Sequence, residues 1–111
     1  MVRWVYDLCY LFFELTHRCN LSCLHCGSDC TRDTETPEIP FDDVVRVLEE
    51  IRCAHDLHHI SVVLSGGEPL CYPRVFELGA KLSELAFPWG MVTNGYAWND
   101  RAFDLASGAR M

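Results

Sequence analysis

Three short apolar runs, each followed by a stretch with helical periodicity, constrain this chain more than any other feature. Leu11 to Thr16 (LFFELT) is apolar and rich in aromatics, which predicts a strand buried on both faces. Phe41, Val44, Val45, Leu48 and Ile51 then recur at helical spacing, with Asp42 and Asp43 in the first turn, where the helix dipole favours negative charge. ISVVLS, residues 60 to 65, repeats the buried-strand pattern, and a second helix opened by Pro73 carries Val75, Leu78, Leu82 and Leu85 on one face. WGMVT, residues 89 to 93, predicts a third strand, and Asn99 to Ser107 a third helix. Strand and helix alternating in this way predict an α/β fold of parallel strands joined by right-handed crossovers.

In such sheets ligands collect at the carboxyl ends of the strands. The three unusual stretches of the sequence all fall there: a cysteine loop at residues 17 to 30 after the first strand, Gly66-Gly67-Glu68-Pro69 after the second, and Thr93-Asn94-Gly95 closing the third. Thr31 to Pro40 contains two prolines and one aliphatic residue, Ile39, and is expected to be a solvated connection.

Within CNLSCLHC, residues 19 to 26, three cysteines fall in eight positions. Cys23 and Cys26 are one turn apart, and the steps from Cys19 to Cys26 would span roughly 23–25 Å if extended, so the loop must curl for all three to share a ligand. A zinc site would need a fourth ligand, which Cys30, His17 or His25 could supply. An iron–sulfur cube also takes closely spaced thiolates, and one held by three keeps an iron open for chemistry. The chain has 111 residues and a net charge of −7, which argues against a nucleic-acid or anionic-membrane partner. The uncharged run from Leu8 to Phe13 is too short for a signal peptide or membrane span, so the expected location is the cytoplasm. There the seven cysteines favour metal binding or chemistry over disulfides.

Cys19, Cys23 and Cys26 as C-x-x-x-C-x-x-C, His25 before the last of them, Gly66-Gly67-Glu68-Pro69 and Thr93-Asn94-Gly95, in this order, resemble the radical S-adenosylmethionine (SAM) enzymes over essentially the whole chain. The resemblance implies the N-terminal half, about three strand–helix units, of a parallel partial TIM-type (βα)6 barrel. It implies a 4Fe-4S cluster on Cys19, Cys23 and Cys26, with SAM chelating the fourth iron through its amino and carboxylate groups. An electron from a donor such as flavodoxin or ferredoxin would cleave SAM to a 5′-deoxyadenosyl radical that abstracts hydrogen from a substrate. Glu68 would accept from the SAM ammonium, Gly66 and Gly67 would let backbone approach the ligand, His25 would lie near the adenine, and Thr93 and Asn94 would close the rim. The run THRCNLSCLHCGSDC is similar to members that modify peptides or proteins, often with a cysteine-rich, SPASM-type extension.

Plainer readings stand beside these. A structural zinc module on Cys19, Cys23, Cys26 and Cys30, or a remnant that binds without catalysing, would use the same cysteines. Cys9 and Cys53 are expected to be small core residues, and His55, His58 and His59 a solvated loop, while Cys30 and Cys71 fall near the rim as candidates for substrate or second-metal contact. Gly108 would end the third helix. Residues 1–111 are then expected to be a core domain truncated before its fourth strand, one that binds a cluster poorly and turns over little by itself.

Overall fold

A computed structural model describes residues 7–21, 23, 24, 26, 30–56 and 59–109. The elements are β1 (Tyr10–Glu14), α1 (Phe41–Ala54), β2 (Ser61–Ser65), α2 (Val75–Glu84), β3 (Trp89–Met91) and α3 (Asp100–Ser107). β2 lies at the centre of a three-stranded sheet in the order β1-β2-β3, and both pairings are parallel, as the alternation requires.

Register sorts the side chains. Leu11 pairs with Val62 and Phe13 with Leu64, and across β2 these align with Trp89 and Met91. These residues meet Val44 and Leu48 of α1 and Val75, Leu78 and Leu82 of α2 in one core. α2 contacts both α1 and α3, so the helices form a layer over that face. Gly79 lets α2 sit close: a Cβ there would press on the Trp89 ring and the Leu105 side chain.

The opposite face corrects the expectation for the first strand. Tyr10 and Phe12 alternate with Leu11 and Phe13 and are 61% and 63% exposed, so β1 is buried on one face, not on both. Its aromatic composition resembled that of a doubly covered strand, but among the described residues only one helical layer covers the sheet. β2 does fit the expectation, since Val62, Val63 and Leu64 are all buried.

Boundaries shift where local chemistry overrides periodicity. α2 begins at Val75, after a turn of 3₁₀ helix at Pro69–Cys71 whose first N–H, from Leu70, donates to the Glu68 carboxylate at 3.2 Å. α3 begins at Asp100 because the side chain of Asn99 caps the Ala102 N–H at 2.9 Å. Gly108 does end α3, in the right-handed region. Cys9 and Cys53 are exposed, contrary to the core placement expected of them: Cys9 lies just before β1, and Cys53 faces away from the α1 stripe. The Thr31–Pro40 connection is largely exposed, with Ile39 packed against the core.

Candidate functional site

The ladder between β1 and β2 continues past the strands and sets the site. Leu15 N–H donates to Ser65 O at 3.0 Å, Gly67 N–H to Thr16 O at 2.6 Å and Glu68 N–H to Arg18 O at 2.9 Å. A Cβ on Gly66 would collide with Thr16 O, and one on Gly67 with Arg18 O. Gly66 also has φ 140°, a region that L side chains rarely adopt. The backbone that approaches these glycines closely within the chain is that of Thr16 to Arg18, which seats the cysteine loop on the end of β2.

The loop is closed at its base. Arg18 and Thr31 form a parallel bridge, with Cys19 N–H donating to Thr31 O at 3.1 Å and Thr31 N–H to His17 O at 3.2 Å. The chain thus leaves and returns at one place. Cys26 N–H donates to Cys23 O at 3.3 Å. Cys23 and Cys26 are exposed, Cys19 is half-buried and Cys30 is buried. Among the described residues no three His, Cys, Asp or Glu side chains gather closely enough to ligate one ion. A four-iron cube does not require that convergence, because each thiolate binds a different iron. His25 lies outside the described residues, as does His58.

Glu68 joins the three rims. It is fully buried, and its Oε1 accepts from Thr93 Oγ1 at 2.6 Å and from Leu70 N–H, while Oε2 accepts from Asn94 N–H at 2.8 Å. Among the described residues no ion pair includes it. A buried carboxylate without a cation is costly unless donors or a bound cation offset it. A carboxylate offers about four acceptor positions, so the three donors leave one unfilled, on Oε2, in a side chain with no exposed surface. The donor chemistry of the site therefore fits both expected groups: soft thiolates for iron, and an unpaired carboxylate for an ammonium.

Asn94 closes the ring. Its Nδ2 donates to Asn20 Oδ1 at 2.8 Å and lies 3.8 Å from Cys19 Sγ, so the third rim touches the first. Thr93 and Asn94 also build a turn: Thr93 Oγ1 accepts from Gly95 N–H at 3.1 Å, Asn94 Oδ1 accepts from Tyr96 N–H at 2.9 Å, and Gly95 has φ 76°.

Sequence reasoning missed a clamp behind the cysteine loop. Arg18 donates to Glu38 Oε2 at 2.8 Å and to Cys71 O at 3.3 Å, linking the loop to the entry of α1 and to the segment after Glu68. Burial pushes the Glu38 carboxyl up, but hydrogen bonds from Thr16 and Arg18, with the Arg18 charge, outweigh it and hold the group below the usual carboxylate range. No periodicity links residues 18, 38 and 71, and the only sequence signal was a lone arginine beside Cys19. Two further thiols flank the site. Cys30, near Cys26 and Cys19, is pushed up to about 11 chiefly by burial. Cys71 is raised by burial and then by the neighbouring Glu68 and Cys19.

Against known proteins, the model of the Radical SAM superfamily matches residues 13–110. A PqqA peptide cyclase of Methylorubrum extorquens is 39% identical over 85 residues, which is 77% of this chain and 21% of that protein. The crystal structure of Streptococcus suis SuiB bound to precursor peptide SuiA superposes with a TM-score of 0.73 at 22% identity, over 88% of this chain and 21% of SuiB. SuiB bound to S-adenosylmethionine gives 0.69 at the same 22% identity, over 86% and 21%. At that identity the likeness is one of fold, and it identifies the sheet as part of a TIM-type barrel. The chain spans about a fifth of the length of these relatives.

Proposed function

The chain belongs to the radical SAM superfamily, a family of enzymes, and on that premise we propose that it carries the cluster loop and the SAM amino-acid site of an enzyme that modifies a peptide or protein. The observation that carries this reading is Glu68, buried and unpaired by any cation, bonded to the β3 turn whose Asn94 reaches Cys19. Held by Cys19, Cys23 and Cys26, a 4Fe-4S cluster would supply the reductive cleavage of SAM that generates a hydrogen-abstracting radical.

The chain's own residues divide the remaining work. Cys19, Cys23 and Cys26 supply the thiolates. Glu68 accepts from the SAM ammonium through its unfilled Oε2 position, a charge-assisted contact that also offsets the cost of burying the carboxylate. Gly66 and Gly67 fix the distance between the cysteine loop and Glu68. Thr93 holds the carboxylate in its rotamer. The relatives named for peptide substrates support a peptide or protein as the second substrate, and a low-potential carrier such as flavodoxin or ferredoxin would provide the electron.

The test is anaerobic reconstitution of the chain beside a Cys19→Ala, Cys23→Ala, Cys26→Ala variant, with iron, sulfide and zinc counted per polypeptide. The expected result is iron and sulfide in equal amounts in the parent, below the roughly four of each that full cluster occupancy would give, and neither in the variant. One zinc per chain that requires Cys30 would overturn the reading in favour of a structural metal module.

A further inference from the structure

We propose that Asn94 is a positioning residue that holds its carboxamide N–H against the Cys19 sulfur and so raises the reduction potential of a cluster bound there. This rests on the cluster reading above and adds to it a role for the β3 turn.

The orientation of an asparagine amide is fixed only by its partners. Here both ends are assigned. Oδ1 accepts the Tyr96 N–H at 2.9 Å, and Nδ2 donates to Asn20 Oδ1 at 2.8 Å. Reversing the amide would set an NH2 group against the Tyr96 N–H and lose that bond whichever way the Asn20 amide turns, because a backbone N–H can only donate. The NH2 group is thereby the face turned toward Cys19, 3.8 Å from Sγ. The main chain is fixed as well, because Asn94 N–H is bonded to Glu68 at 2.8 Å. A second ligand sulfur is served in the same way: Cys30 N–H lies 3.5 Å from Cys26 Sγ.

The consequence is electrostatic. Reduction brings in one electron from an external low-potential donor, with no bond formed or broken and the amide proton staying on nitrogen. The added negative charge spreads onto the ligating sulfurs, and an N–H donor stabilises it more than it stabilises the oxidised state. Removing the donor must lower the potential.

Two variants separate this role from a purely structural one. Asn94→Ser keeps an oxygen for the Tyr96 N–H, as serine does in such turns, but has no N–H to offer sulfur. Asn94→Asp keeps the same turn and sets a carboxylate toward Cys19. The measurement is a dithionite titration of the reconstituted chain followed by electron paramagnetic resonance, read per cluster so that partial occupancy does not matter. For Asn94→Ser the expected change is a three- to tenfold shift toward the oxidised state, or about 30–60 mV lower at 59 mV per decade for one electron, with Asn94→Asp lower still. A parent-like potential in both variants would overturn the proposal while leaving the cluster reading intact. Loss of the cluster in both would also overturn it, making Asn94 an anchor only. A parent chain with no more iron than the triple cysteine variant would instead remove the reading on which the proposal stands.

Discussion

Glu68 illustrates how much one side chain can be asked to do. Its three donors come from two different loops, and the carboxylate is wholly buried. Glu68→Gln keeps the shape but replaces one oxygen with an NH2 group, which must face the N–H of either Leu70 or Asn94. Leaving one buried N–H without an acceptor costs about 1–3 kcal/mol. Thermal unfolding followed by circular dichroism should show a melting temperature lower by roughly 4–20 °C for a domain of this size, and SAM binding should weaken in the same variant. An unchanged melting temperature would mean that the Glu68 bonds do not hold the rim together. The motif around Glu68 was legible in the sequence, as was its position after a buried strand. Its bonds to Thr93 and Asn94 were not, because a contact between residues 25 and 26 positions apart leaves no local pattern.

Between elements, the cysteine loop is fastened at two places that respond differently to substitution. At the first, Gly67 packs on Arg18 backbone, and Gly67→Ala must push the loop off the end of β2. Overpacking against main chain typically costs about 1–3 kcal/mol, and proteolysis within residues 19–31 should quicken as the loop loosens. At the second, Arg18 and Glu38 tie the loop to the entry of α1. The folded Glu38 carboxyl lies below its ordinary value of 4.5, so the folded state binds the proton less readily than the unfolded one. The stability this adds is fully present above pH 4.5 and is lost as pH falls through the folded value. Glu38→Gln should therefore lower the melting temperature at pH 7, with a free-energy cost of about 0.5–1 kcal/mol given the half-exposed Arg18, and the gap to the parent should narrow as pH falls below 4.5. A gap that does not change with pH would assign the loss to packing and not to the ion pair. Helix and strand identities were readable here because Val44, Leu48, Leu78 and Leu82 keep one period; the clamp was not, because the connection from Thr31 to Pro40 has no periodicity to single out Glu38 among its polar residues.

At the scale of the molecule, the sheet has one face covered by helices and one that is not, among the described residues. Tyr10 and Phe12 stand on the open face with ring centroids 6.5 Å apart, and Val92, at the end of β3, is also exposed. The sequence signalled the parallel order correctly but gave the wrong account of β1, since LFFELT is equally apolar whether one face or both are covered. In a TIM-type barrel this face of the sheet lines the interior. Presented to water, an apolar face beside unpaired strand edges drives association. The chain alone should therefore self-associate at micromolar concentration, with a sedimentation coefficient that rises with loading. Phe12→Thr retains β propensity while removing the larger of two adjoining apolar surfaces. It should shift the distribution toward monomer and leave the melting temperature within a few degrees of the parent, because Phe12 contributes nothing to the helix-covered core. If the variant associates as strongly as the parent, the contact lies elsewhere, and the exposed Tyr96 and Phe103 beyond β3 become the surface to alter next.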